Sequence, residues 1–275
     1  MSDHAPPGGI ADGDLVLPGW AVPARVKALF TTRRGGVSTG PWGGAQGWGG
    51  LNLGMNCGDD AAQVSLNRRL LQARVGAPIR WLIQVHGTDV IERGCARAGA
   101  VEQATGAAQA QADRGDAQVT MASGVALGVL VADCLPVLLA DRAGTIVGVA
   151  HAGWRGLAAG VLENTVATMR RCSPKANLVA WLGPCIGSSA FEVGPDVVDA
   201  FTAQDPGAGE YFRSTGAAGK WWSDLRGLAS WRLQALGIES IAHADACTVT
   251  RADDFWSYRR DGTCGRMAGV IWLQP

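Results

Sequence analysis

The chain has 275 residues, a length that fits one large domain able to bury its own core. Its 24 Lys+Arg and 24 Asp+Glu leave no net charge, which excludes a nucleic acid or an anionic membrane as a partner held mainly by a basic face. The seven cysteines are scattered and contain no C-x-x-C pair; this excludes a zinc ribbon or thioredoxin-type motif and suits a reducing compartment.

Residues 1–14 are polar and rich in Pro and Gly. They lack the basic-then-apolar order of a signal peptide, and a loose tail reaching to residue 25 is expected. The pattern predicts a strand over 26–32, a glycine turn at Arg33–Gly36, and a Gly/Trp-rich stretch over 41–50 that leads into Leu51-Asn52-Leu53-Gly54. Residues 59–75 carry helical apolar spacing and end before Gly76. A strand over 80–85 delivers His86-Gly87. Residues 94–114 are rich in Ala, Gly and Gln without periodicity and read as a surface excursion.

The apolar runs 125–131, 135–140 and 145–150 read as buried strands. Asp133-Cys134 lies between the first two, and His151 follows the third. A helix is expected over 157–171, a short strand over 178–182, helices over 196–203 and 225–236, and a last strand over 269–273. The longest apolar stretch is broken by Asp133 and too short to span a bilayer, so a cytoplasmic protein, taken as a monomer, is expected. Strands and helices mix without strict βαβ alternation, which favours an α+β fold with mixed sheets over a doubly wound one.

Two of the four histidines, His86 and His151, end apolar runs beside glycine, and Cys134 sits at a break between runs. A group at a strand end is held rigidly and exposed at a sheet rim, where catalytic groups tend to sit. Two imidazoles and one thiolate suit Zn²⁺, and three protein ligands leave a fourth position open. Asp133 or a backbone carbonyl would orient a ligand. The long gaps between these residues match no local zinc pattern. Hydrogen-bonded rim histidines and a buried cysteine remain an open alternative.

Several residues are candidates for holding a substrate. Arg155, four residues after His151 at an expected helix start, offers an anion site, with a structural ion pair as the alternative. Arg34, before Gly35-Gly36, is a similar candidate. Arg259 or Arg260 would contact phosphate or ribose, one of them more naturally a structural ion pair. Asn52 offers a donor and an acceptor to a purine edge or a ribose hydroxyl, or is a turn residue. Trp42, Trp48 and Phe255 are stacking candidates.

The segments QVHGTDV (84–90), ADCLPVLLAD (132–141), VAHAGWRGL (149–157), LGPCIG (182–187), FEVG (191–194) and FWSYRRDGTCGRMA (255–268) are similar, in order and spacing, to the laccase-domain family. TTRRGGVSTGP (31–41) and LNLG (51–54) fit it too, so the resemblance covers about residues 26–273. That family was once called multicopper polyphenol oxidase and is now understood as purine nucleoside phosphorylases with adenosine deaminase side activity. The resemblance implies a cysteine-hydrolase-like α+β fold and a single catalytic domain over 26–275. It places the catalytic zinc on the His of VHG, the Cys of ADC and the His of AHAGW, here His86, Cys134 and His151. Adenosine, inosine, guanosine and 5′-methylthioadenosine, with inorganic phosphate, are the implied substrates. The stretches 41–51 and 93–115 are longer than the family pattern, which bears on substrate preference.

Two other functions follow from the residue types. Copper oxidation of phenols requires many imidazoles for a three-copper cluster, and four histidines cannot supply them; a single blue site with a methionine such as Met121 stays open. A metal-free hydrolase would use Cys134 as nucleophile and His151 as base.

Overall fold

The structure, a computed structural model, describes residues 9–95 and 113–275. Most of the expected excursion over 94–114 lies outside the described residues, as does His4. In chain order the strands are β1 (Leu15–Val16), β2 (Val26–Thr31), β3 (Arg34–Ser38), β4 (Ile79–Arg80), β5 (Val90–Arg93), β6 (Ala117–Thr120), β7 (Ala126–Val131) and β8 (Leu135–Asp141). They continue with β9 (Val147–Ala152), β10 (Leu178–Leu182), β11 (Glu192–Val193), β12 (Phe212–Ser214), β13 (Trp221–Ser223), β14 (Ile241–His243) and β15 (Met267–Leu273). The helices are α1 (Ala61–Val75), α2 (Trp154–Ala159), α3 (Val161–Cys172), α4 (Pro195–Thr202), α5 (Leu225–Ala235) and α6 (Tyr258–Asp261).

Strands pair into a five-stranded sheet, order β1-β2-β15-β7-β4, and a six-stranded sheet, order β14-β10-β8-β9-β6-β5. Both are mixed: β4 runs parallel to β7, β5 to β6 and β14 to β10, while the other pairs are antiparallel. A small sheet, β11-β13-β12, was not expected from the sequence.

The apolar runs show why the sheets stack. Along β8, Leu135, Val137 and Leu139 join the core that contains Leu162 and Val166 of α3, while Leu138 and Ala140 pack with Leu127, Val129 and Val131 of β7 between the sheets. A strand buried on both faces reads as a continuous apolar run rather than an alternating one. On the outer face of the five-stranded sheet, Ala126, Ala268 and Val270 pack against Leu71 and Val75 of α1. Burying each such Leu or Val side chain contributes about 1.5–3 kcal/mol. The order of layers is thus helix, sheet, sheet, helices.

Helix α1 starts at the Asp60 cap, whose side chain accepts from the Ala62 N–H, and ends at Gly76 with φ 74°, a left-handed stop that glycine takes without strain. Other expectations are corrected. Residues 9–25, assigned to a flexible tail, include β1, which extends the sheet by pairing with β2. Arg33–Gly36, expected as a turn, runs into β3. Gly36 lies so close to the neighbouring chain that a Cβ would stand 2.2 Å from the Gly50 carbonyl oxygen, so the glycine serves a close approach.

Of residues 80–85, only Arg80 is in a strand. Gln84 spends its side chain on a mock ladder, donating to the Leu130 carbonyl at 2.8 Å and accepting from the Leu130 N–H at 2.7 Å. The expected helix 157–171 is two helices separated by Gly160 at φ 103°.

Candidate metal centre and pocket

His86, Cys134 and His151 converge, each offering a ligand atom within 4.8 Å of the others. Cys134 follows the end of β7, His151 lies within β9 opposite Pro136 of β8, and His86 follows the Gln84 mock ladder. The two imidazoles meet edge to face with centroids 4.8 Å apart, and Cys134 Sγ lies 3.8 Å from His86 Nε2. His151 is buried, Cys134 half-buried and His86 exposed, so the cluster is closed on the protein side and open towards solvent.

Two carboxylates hold this arrangement. Asp116 is fully buried. Its Oδ1 accepts from the His86 N–H at 3.0 Å and from His151 Nδ1 at 2.8 Å; its Oδ2 accepts from the N–H groups of Val85 at 3.1 Å and Gly87 at 2.7 Å. A carboxylate only accepts, so His151 carries its hydrogen on Nδ1 and turns Nε2 towards the cluster. The same carboxylate bends the chain at His86, which sits at φ 60°.

Asp133 acts on Cys134 through the backbone. Its φ of 87° is a left-handed conformation rare for a residue other than glycine. The Thr248 hydroxyl at 2.5 Å, the Ser257 hydroxyl at 3.0 Å and the Arg259 N–H at 2.7 Å fix its carboxylate. The Asp133 carboxylate touches none of the three cluster residues directly; the carboxylate that does, Asp116, was missed. No periodicity marks a residue whose task is to gather N–H groups some thirty positions earlier.

Electrostatics favour an anionic sulfur. Burial alone would raise the Cys134 thiol, but His151 and His86 outweigh it and bring it down. Burial alone would lower His151, but Cys134 and Asp116 outweigh it and raise it. A thiolate at neutral pH is the form that binds metal. The glycines of HAGWRG also gain a reason. A Cβ on Gly153 would lie 2.8 Å from His86 Cδ2 and 3.1 Å from Cys134 Sγ, and one on Gly156 would lie 2.7 Å from the Gly87 carbonyl oxygen.

The three residues open onto a pocket of about 590 Å³, a size typical of small-molecule sites. Trp81, Tyr258, Met55 and Leu82 line it with apolar surface, and Arg68 and Arg266 bring two guanidiniums. Arg68 stacks on Trp81 at 4.8 Å, donates to the Leu53 carbonyl, and is lowered by burial to about 10. Arg266 donates to the carbonyls of Cys264 and Gly265.

The substrate contacts expected from the sequence are placed elsewhere, since none of them lines this pocket. Asn52 is fully buried, giving its amide to Asp59 and Cys57 and its carbonyl to the N–H groups of Gly54 and Arg266, so its polar atoms are spent inside. Arg34 pairs with Asp254 at 2.7 Å and with Asp14. Arg259 donates to the Glu192 carbonyl and lies over Phe191. Arg155 is exposed and stacks on Trp154 at 4.4 Å. Arg260, fixed by Asp261 and three backbone carbonyls, is structural. Arg68 and Arg266 escaped notice because a lining arginine in a helix or loop looks like any surface arginine until the chain folds.

The sequence profile of the family described as multi-copper polyphenol oxidoreductase laccase matches residues 27–274. Purine nucleoside phosphorylase YfiH of Escherichia coli is 45% identical over 94% of this chain and 98% of its own length. The purine nucleoside phosphorylase of Haemophilus influenzae is 39% identical over 94% and 99%. A crystal structure of a Neisseria meningitidis protein, 44% identical, matches with a TM-score of 0.84 over 95% of this chain and 100% of that one. YlmD from Geobacillus stearothermophilus, 31% identical, matches with a TM-score of 0.79 over 92% and 93%. The mixed α+β fold is shared with these structures, and the chain belongs to the multi-copper polyphenol oxidoreductase laccase family, several of whose members bear the name purine nucleoside phosphorylase.

Proposed function

We propose that His86, Cys134 and His151 hold a Zn²⁺ ion and that the adjoining pocket carries out purine nucleoside phosphorolysis, with adenosine deamination at the same site. Adenosine, inosine, guanosine and 5′-methylthioadenosine are the proposed substrates, giving the free base and (methylthio)ribose 1-phosphate. The observation that carries this reading is a two-imidazole, one-thiolate cluster, open on one side, at the wall of a pocket holding two aromatic rings and two guanidiniums. The names of the relatives support the substrate class.

The donor set fits zinc: one soft sulfur, two borderline nitrogens, and a second ring nitrogen of His151 tied to a buried carboxylate. A Zn²⁺ ion held there would supply Lewis acidity. In phosphorolysis a phosphate oxygen bonds to C1′ of the ribose as the bond to the purine nitrogen breaks, and the base leaves with the electron pair. Arg68 and Arg266 supply positive charge for phosphate, while Trp81 and Tyr258 offer flat faces for the purine. In deamination the oxygen of water replaces the C6 amino group, which leaves as ammonia. Copper is disfavoured by ligand supply. The chain has four histidines, and Met121, the sulfur that a blue site would draw on, is outside the pocket lining.

Product analysis of adenosine incubated with the purified protein tests this reading. Adenine and ribose 1-phosphate formed only with phosphate support phosphorolysis, and inosine formed in either buffer supports deamination. Intact adenosine under both conditions contradicts the reading.

One observation favours a second reading. Cys134, His151 and Asp116 also form a thiolate–imidazole–carboxylate chain, the arrangement of a cysteine hydrolase. A free nucleophile alkylates readily in the purified protein, whereas a metal-bound Cys134 resists until a chelator is added.

A further inference from the structure

A second donor cluster lies apart from the pocket. Glu92, Cys95 and Cys172 each offer a ligand atom within 4.8 Å of the others, and none of them lines the pocket. Glu92 belongs to β5, the edge strand of the six-stranded sheet, and Cys172 is the last residue of α3. The chain turns at Gly94, whose φ is 63°; this left-handed step brings Cys95 to Glu92. Arg171 pairs with Glu92 Oε1, and the other oxygen, Oε2, faces Cys172 Sγ at 3.6 Å. All three residues are half-buried, so an ion from solvent reaches them while their own hydration is incomplete.

We propose that Glu92, Cys95 and Cys172 form a second metal site, for a thiophilic divalent cation such as Zn²⁺ or Cd²⁺, which fastens edge strand β5 to the C-terminal end of α3. Two sulfurs and one carboxylate oxygen select soft and borderline ions over Mg²⁺ or Ca²⁺. With zinc–sulfur bonds of about 2.3 Å and zinc–oxygen bonds of about 2.0 Å, tetrahedral donors stand roughly 3.3–3.8 Å apart. The three atoms, within 4.8 Å of one another, therefore need to close by roughly 1–1.5 Å at most, a movement within reach of side-chain torsions. Binding displaces the thiol protons, and Arg171 plays the orienting part that outer partners play around metal carboxylates. The site is independent of the proposed nucleoside chemistry.

The test is a Cd²⁺ titration of the reduced full-length Cys134→Ser variant, which removes the only sulfur of the first cluster. The expected result is a thiolate-to-cadmium absorption band that saturates at one ion per chain, with a rise in Tm. Adding Cys95→Ser or Cys172→Ser should halve the band and weaken binding tenfold or more. Absence of the band, or a band unchanged by both substitutions, overturns the proposal. A second measurement does not depend on that variant folding. In the wild-type protein, Cd²⁺ should shield Cys95 and Cys172 from alkylation, read by peptide mass; equal alkylation with and without Cd²⁺ overturns the proposal as well.

Discussion

Replacing Asp116 by Asn removes one charge and one acceptor from the carboxylate that organises the cluster. Four donors converge on its two oxygens, two on each. If the new NH₂ group takes the Oδ2 position, it faces the N–H groups of Val85 and Gly87, and both lose their acceptor. If it takes the Oδ1 position, the His86 N–H loses its acceptor. His151 Nδ1 must then accept, and the hydrogen moves to Nε2, where it points at the cluster. Either orientation forfeits at least one or two charge-assisted hydrogen bonds at about 1.5–3 kcal/mol each, in a fully buried place where water cannot substitute. The expected outcome is a loss of about 3 kcal/mol or more in chemical denaturation of the metal-free protein. Zinc affinity, measured by competition with a chromophoric chelator, should fall about 10–100-fold. A variant with wild-type stability and wild-type zinc affinity would refute the assignment of Asp116 as the organising group.

Further outcomes follow from the same geometry. Gly153→Ala should fold but lose zinc affinity, because the new Cβ presses on His86 Cδ2 and Cys134 Sγ at 2.8 and 3.1 Å; metal content after gel filtration checks this. Asp133→Ala should lose about 3 kcal/mol, combining broken buried hydrogen bonds with left-handed strain. Asp133→Gly should retain about 1 kcal/mol of that, and equal losses by denaturation would contradict the strain argument. Asp141 is nearly buried; burial alone would raise its carboxyl, but the Thr145 hydroxyl and backbone N–H groups of Asn177 and Ala143 outweigh this and lower it from 3.8. A lowered native value contributes stability that is present above the unfolded value and lost as pH falls through the native one. The deficit of Asp141→Ala against wild type should therefore be full at pH 7 and narrow steadily below about pH 4. A deficit constant from neutral to acid pH would count against that assignment.

The parts of the fold legible in the sequence are those with strong periodicity or continuous apolarity. The runs at 125–131, 135–140 and 178–182 became β7, β8 and β10 because strands buried on both faces need apolar residues at every position. The segment 80–85 is also mostly apolar, yet its surroundings are captured by side chains: Gln84 on Leu130 and Asp116 on residues 85–87. Such capture depends on partners distant in sequence, and no local pattern announces it.

The same contrast holds at the site. His86, Cys134 and His151 stood out because each ended or interrupted an apolar run, and the resemblance to the family gave those positions a common purpose. The arginines behave differently. Motif neighbourhood pointed to Arg34, Arg155 and Arg259, none of which lines the pocket: Arg34 pairs with Asp254, Arg259 donates to the Glu192 carbonyl, and Arg155 lies on the surface. The guanidiniums that line the pocket arrive from α1 and from the turn before β15, positions that only the tertiary fold brings together.

The most direct measurement of the central claim compares zinc content and phosphate-dependent cleavage of adenosine in the same preparations of wild type and Cys134→Ala. The account predicts turnover in the wild type and, in the variant, one zinc ion fewer per chain together with loss of turnover, while its Tm shows a folded chain. A folded Cys134→Ala protein that holds no zinc at His86 and His151 and still cleaves adenosine at the wild-type rate would contradict it.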